Sequence, residues 1–509
     1  VFLISCGQVR QVEDDGAMKE AYAPESQILG FEQMPDFNTE EYDRIYENQF
    51  LSAVKHPLST FSIDVDNAAY SNMRRFLNNN ELPPPDAIRI EEMINYFSYD
   101  YKQPEDESPF SVNMEFGNCP WKNDHKLLHI GLQGRRPDYE NIKPCNLVFL
   151  IDASGSMESP NKLPLLKKGL KMLLKELEKK DRIAIVAYAG AAGLVLPSTP
   201  AREADKITAA LDKLEAGGST AGGEGIELAY KVAKENFIDG GNNRVILATD
   251  GDFNIGTSST GDLVRLIEEK RKQKIFLTIC GFGMGNYKGS RMEKISNAGD
   301  GNYFYIDNIN EAQKVFVKEM RANLFTIAKD VKIQIEFNPA KVKEYRLIGY
   351  ENRLLSDEDF EDDQKDAGDL GAGHTVTALY EIVMQDQGSI ENVENDLKYQ
   401  DTEISENAKA TDEMLTLKLR YKLPDEDQSK LIEKTVTAET TPDDELSENF
   451  VFSSSVAGFG MLLRDSEFKA EVSYEMVLDL AKKGKGEDEN GYRAEFIKLV
   501  ETAKLLDMD

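Results

Sequence analysis

The chain has 509 residues, too many for one ordinary domain of about 100 to 200, and its 40% hydrophobic and 9% aromatic content excludes a disordered, collagen-like or low-complexity chain. Asp and Glu number 91 against 60 Lys and Arg, a net charge of -31. Such a field repels phosphate backbones and anionic lipid surfaces, so no nucleic acid is expected as a partner.

The first residues read VFLISC, and Leu3-Ile4-Ser5-Cys6 is similar to a bacterial lipobox, in which an apolar stretch and a small residue precede a cysteine that becomes acylated. The competing reading is a chance apolar hexapeptide before an ordinary thiol. A lipid anchor at Cys6, a polar tether through residue 40 and a bacterial envelope location, on the periplasmic or surface side, are the expectation. No other stretch approaches the roughly 18 apolar residues of a membrane helix.

Residues 41–143 carry short alternating runs, FSIDV and FSVNMEFG, expected as antiparallel strands with some helix. Asp64 and Asp66 stand where they would cap a helix starting near Ala68. His125 and His129 are four apart in HKLLHIGL, which reads as a strand whose like-facing positions are ordinary histidines in preference to a zinc pair. Four cysteines make no disulfide framework. Cys119 and Cys145 flank a segment read as a hairpin and would pair only in an oxidising compartment, while Cys280 reads as a small core residue.

Residues 144–328 alternate apolar runs with amphipathic stretches, the pattern of a parallel sheet with crossover helices: an α/β, Rossmann-like fold. The strands read NLVFLID, RIAIVAYA, GLVLPS, NRVILATD, KIFLTICGFG and NYFYID. Leu166, Leu170, Leu173, Leu174 and Leu177 recur at helical spacing, as do Ile226, Tyr230, Ala233 and Phe237. Ligands of such sheets bind beyond the carboxyl ends of the strands, which directs attention to the polar residues after NLVFLI and VILAT. In LIDASGSM, Asp152, Ser154 and Ser156 offer one carboxylate and two hydroxyls from one tight turn, with Gly155 expected to take a backbone angle that larger residues resist. Taken alone, the run is also compatible with a plain turn or helix cap. Thr220 in the glycine-rich AGGST precedes a helix, and Asp250 closes the buried strand VILATD. Asp252, past the glycine turn, is expected to support the loop. GFGMG, residues 281–285, follows a late strand, and the acidic residue that a dinucleotide loop expects about twenty residues on has no clear strand context.

Residues 329–448 return to alternating runs, VKIQIEFN, EYRLIGYEN, HTVTALYEIVM and MLTLKLRYKL, expected to join the N-terminal flank as one β-rich body holding the α/β domain as an insertion. The acidic run of residues 356–366 lacks the spacing of a calcium loop and reads as solvated. Residues 449–509 return to helix, with Met476, Leu478, Leu480, Phe496, Leu499 and Leu505 among charged residues.

Together, the three loops resemble the metal-ion-dependent adhesion site of von Willebrand factor type A domains. The runs PLSTFSIDVDNAAYSNMRRFL, IRIEEMINYF, CPW and NRVILATDGDFNIG extend the likeness, from roughly Phe37 to the end, to a bacterial family in which a dedicated N-terminal region precedes that domain and a C-terminal region of unknown function follows. The resemblance implies a metal site of Asp152, Ser154, Ser156, Thr220 and Asp250, with the three hydroxyls on Mg²⁺ (or Mn²⁺ or Ca²⁺) and the two carboxylates holding its waters or orienting the hydroxyls. An ion held by neutral hydroxyls keeps its charge, so the implied partner is a protein presenting Asp or Glu. The chain thus reads as a metal-dependent interaction or adhesion module and not an enzyme. The alternatives are a metal-dependent hydrolase with Ser154 or Ser156 as nucleophile, and an architectural envelope protein with a structural metal.

Overall fold

Two periodicities divide the chain: two-residue alternation in the flanks, and apolar runs separated by helical repeats between them. The computed structural model describes residues 40–136, 143–218, 222–251, 260–283, 289–320, 325–386 and 404–508. Cys6, its tether, Thr220, Asp252 and residues 284–285 of GFGMG therefore lie outside the described residues.

The N-terminal flank holds β1 (Leu51–Ser52), β2 (Leu58–Ser62), α1 (Ala68–Asn78), α2 (Ile90–Asn95), β3 (Phe110–Asn118) and β4 (His125–Gly134). The middle runs β5 (Cys145–Asp152), α3 (Leu163–Glu176), β6 (Arg182–Tyr188), β7 (Ala192–Pro200), α4 (Ala204–Asp212), α5 (Gly222–Glu235), β8 (Asn242–Thr249), α6 (Thr260–Lys272), β9 (Phe276–Phe282), α7 (Gly289–Ala298), β10 (Tyr303–Ile306) and α8 (Ile309–Gln313). The C-terminal flank adds β11 (Thr326–Phe337), β12 (Val342–Ile348), β13 (Gly368–Gly371), β14 (Thr375–Met384), β15 (Glu413–Lys422) and β16 (Lys430–Thr437), then helices over Glu448–Arg464, Tyr474–Lys483 and Tyr492–Leu506.

The middle sheet has the order β10-β9-β8-β5-β6-β7, parallel throughout except for β7, which returns antiparallel on β6. Both faces are covered, which is why the strands read as continuous apolar runs. Leu147, Phe149 and Ile151 of β5 enter one core with Leu166, Leu170 and Leu173 of α3. Val148 and Leu150 point the other way, onto Ile226, Ala229 and Tyr230 of α5. Phe237 does not continue that helical stripe: it lies beyond the end of α5 and is exposed.

The flanks meet as a β-sandwich. β2 pairs antiparallel with β11, Phe61 opposite Ile333, and β4 with β14, Leu128 opposite Tyr380. The resulting sheets, β1-β12-β14-β4-β3 and β13-β11-β15-β16 with β2 also paired to β11, enclose a shared core containing Phe61, Ile130, Ile335 and Leu417. Because each sheet draws strands from both flanks, the α/β region between β4 and β11 is an insertion in the sandwich. The C-terminal helices pack Phe452, Val456 and Phe496 against Tyr70, Met73 and the buried Trp121. No helix among the described residues is long and apolar enough to cross a membrane.

Some local expectations are corrected. Asp64 and Asp66 do not cap α1, whose N-cap is Asn67 without a side-chain bond. Instead Asp66 accepts the Tyr303 N–H at 2.9 Å, and both carboxylates pair with Arg353. Cys119 and Cys145 do not flank a hairpin: Cys119 lies just past β3 at the turn into β4, Cys145 opens β5, and the two thiols are free in different cores. His125 bonds Glu381 while His129, its protonation disfavoured by burial, faces Tyr101.

Candidate metal centre

Asp152 is the last residue of β5, and the parallel neighbours place their own ends beside it. Register sets Asp152 opposite Tyr188 of β6, and Ile151 opposite Ala248 of β8, so that Thr249 follows alongside. Both Asp152 oxygens are thereby engaged. Oδ1 accepts the Ser154 N–H at 2.9 Å, and Oδ2 accepts the hydroxyls of Tyr188 at 3.1 Å and Thr249 at 3.3 Å. Burial pushes the carboxyl above its ordinary value, bonds from Ser154 pull it back, and the nearby Asp250 carboxylate adds to the rise. A cation in this crevice would favour the ionised form.

The chain leaves β5 extended through Ser154 and turns at Gly155–Glu158. This brings Ser154 Oγ and Ser156 Oγ to 3.0 Å, the first buried and the second exposed. Two ligands on adjacent corners of an Mg²⁺ octahedron are about 2.9 Å apart. The glycine that needs its freedom is not Gly155, where an added Cβ would meet only the Gly218 carbonyl at 3.8 Å. It is Gly218, with φ +91° and the Ala189 carbonyl 3.0 Å from the position of a Cβ. Gly217 N–H donates to Ala153 O at 2.8 Å and Gly155 N–H to Gly218 O at 3.2 Å. These bonds tie the glycine-rich loop to the serine turn up to the residue before Ser219; Thr220 itself is not among the described residues.

Asp250 follows β8, its side chain fully buried. Oδ2 receives the Lys162 ammonium at 2.8 Å, whereas Oδ1 has no hydrogen-bond partner among the described residues. A buried carboxylate oxygen without a donor is costly, and a metal-bound water is one group that would satisfy it. The donor set thus fits a hard divalent cation: Ser154 and Ser156 at ligand spacing, Asp152 fixed beneath them, and one oxygen of Asp250 open. Among the described residues no three His, Cys, Asp or Glu side chains gather elsewhere as an alternative metal cluster.

Three participants escaped the sequence reading. Tyr188 and Thr249 look like strand residues until the register places them on Asp152. Lys162 lies among other lysines, and nothing in its spacing from Ser156 or Asp250 signals the ion pair.

Comparison with known proteins agrees with this architecture. Family models described as "von Willebrand factor", "von Willebrand factor type A domain" and "Uncharacterized protein YfbK, C-terminal" match residues 36–129, 146–318 and 322–506. The uncharacterized protein YfbK of Escherichia coli (strain K12) is 44% identical over 478 residues, covering 91% of this chain and 81% of the relative. The uncharacterized protein sll0103 of Synechocystis is 28% identical over 194 residues, 38% of this chain and 44% of that one. A solved von Willebrand factor type A protein from Catenulispora acidiphila has 19% identity and a TM-score of 0.42, covering 78% of this chain and 91% of its own. With a type A domain inserted in a sandwich and both flanks matched, this chain belongs to the YfbK family of von Willebrand factor type A domain proteins.

Proposed function

We propose that this chain is a metal-dependent protein-interaction or adhesion module of the bacterial cell envelope. Mg²⁺, or Mn²⁺ or Ca²⁺ in its place, is held by the hydroxyls of Ser154, Ser156 and Thr220, with Asp152 and Asp250 behind them. When bound, the ion supplies a positive centre with an exchangeable position, which an Asp or Glu of the partner takes. The observation that carries this reading is the 3.0 Å pair of serine hydroxyls above an Asp152 whose two oxygens are already engaged. A carboxylate so occupied acts as an orienting group, leaving neutral ligands around the ion and its charge uncancelled. Among the described residues, the lysine bonded into the crevice, Lys162, is engaged with Asp250, which favours binding over serine-based hydrolysis.

The envelope location rests on the LISC run at Cys6, and labelled palmitate supplied to cells expressing the full gene should label the protein. Affinity capture from envelope extracts should retain a protein partner in Mg²⁺ and release it in chelator, with Asp152→Ala retaining nothing. Changing the partner's contacting Asp to Asn should weaken binding by about 1.5 to 3 kcal/mol, the scale of a lost charged hydrogen bond. Equal retention with and without chelator would rule the reading out. A purely architectural metal would instead lower thermal stability on chelation without any metal-dependent partner.

A further inference from the structure

We propose that Lys162 is a resident counter-cation of the crevice: its ammonium holds Asp250 in the absence of metal and weakens metal binding, so that the ion can come and go without loss of the fold. This rests on the metal reading above and names a control on it.

Capping chemistry does not explain a lysine at this position. Lys162 occupies the N-cap of α3 without a side-chain cap bond, where the helix dipole disfavours a cation. Its side chain is carried away from the helix along a prepared lane. Gly283, at φ +82°, lies against it so closely that an added Cβ would come 2.1 Å from Lys162 Cε. The Tyr305 hydroxyl donates to the Gly283 carbonyl and holds that backbone in place. The lane ends at Asp250 Oδ2, with the lysine side chain 11% exposed and the aspartate 0%.

The charges then divide between two states. Without metal, Asp152, Asp250 and Lys162 sum to one negative charge, and Asp250 is not left as an unpaired buried carboxylate, a strongly destabilising condition. With a divalent ion the same set sums to one positive charge, whereas without the lysine it would be neutral. Lys162 therefore opposes entry of the ion and strengthens the loaded crevice as a receptor for a carboxylate. Both cations can share Asp250, because Lys162 uses Oδ2 and Oδ1 has no partner among the described residues.

The test uses the full chain, with Mg²⁺ and Mn²⁺ titrated calorimetrically into wild type, Lys162→Met and Gly283→Ala, and thermal melts in Mg²⁺ and in EDTA. Gly283→Ala keeps the lysine but forces it off its lane, and it decides the matter where Lys162→Met fails to fold. The expected result is metal affinity raised about tenfold in Lys162→Met, as removal of a like charge a few ångströms away predicts, and raised in the same direction but less in Gly283→Ala, where the charge is displaced and not removed. Their melting temperatures should also rise more with Mg²⁺ than that of wild type. Metal binding of unchanged affinity in wild type and both variants would overturn the role of Lys162 and leave the metal site standing. Absence of metal binding in all three would overturn the metal reading and this inference with it.

Discussion

Replacing Arg74 by Met is expected to lower the unfolding free energy by about 3–5 kcal/mol, the range for removing one partner from a buried ion-pair network. Arg74, on α1, is 1% exposed. It pairs with Asp307 just after β10, with Glu311 of α8 at 2.8 Å, and with Glu495 of the last helix at 3.0 Å. Tyr96 closes the network, accepting from Arg74 at 2.9 Å and donating to Glu311 at 2.7 Å. One guanidinium thus joins the N-terminal flank, the inserted domain and the C-terminal helices. Met fills much of the volume but leaves Asp307 and Glu311 buried without a cation, and their desolvation is what destabilises. Urea unfolding measures the difference. A loss below about 1 kcal/mol, the worth of an exposed pair, would show that the network does not hold these parts together.

Glu92 is expected to contribute a fall in stability as pH rises from about 4.5 to about 8, and Glu92→Gln is expected to remove that contribution. Burial pushes Glu92 from 4.5 up to about 8, with Glu293 raising it further and Arg89 opposing. Asp66 is also raised, chiefly by burial and then by Glu293. In this window the folded carboxyl keeps a proton that the unfolded chain has released. Raising the pH therefore favours unfolding, by up to about 1.4 kcal/mol per pH unit for one proton. Below the window both states are protonated and the contribution is fully present; above it the contribution is gone. Asp300, pushed by burial to about 6, acts in the same sense over the lower part. Self-repulsion of the acidic chain also varies with pH, so the readout is the difference between wild type and Glu92→Gln. Identical slopes would mean that Glu92 is ionised in the folded protein.

The inserted domain was legible because a strand buried on both faces has few polar residues until it ends. That is why Asp152 and Asp250 stand out after LVFLI and VILAT, and why both lie where the crevice forms. The sandwich was legible as texture, through runs such as VKIQIEF, but its edge was not. β16 faces solvent over most of its length, so LIEKTVT carries no buried alternation, and β13 is a four-residue strand inside a polar stretch. Long-range ion pairs left no trace. Asp66 looks like a helix cap from its neighbours, yet its partner Arg353 is 287 positions away. Lys162 and Asp250 are 88 positions apart, and only the fold brings the ammonium onto the carboxylate.

In the proposed function, Asp152, Ser154, Ser156, Thr220 and Asp250 form one site for a divalent ion. The decisive measurement is calorimetric titration of the full chain with Mg²⁺ and with Mn²⁺, alongside Asp152→Ala, which removes the group that orients Ser154 through its N–H and bonds Tyr188 and Thr249. Binding at unit stoichiometry is expected in the wild type, and no measurable binding in the variant. Binding that persists undiminished in a folded Asp152→Ala protein would show that these residues do not hold the ion.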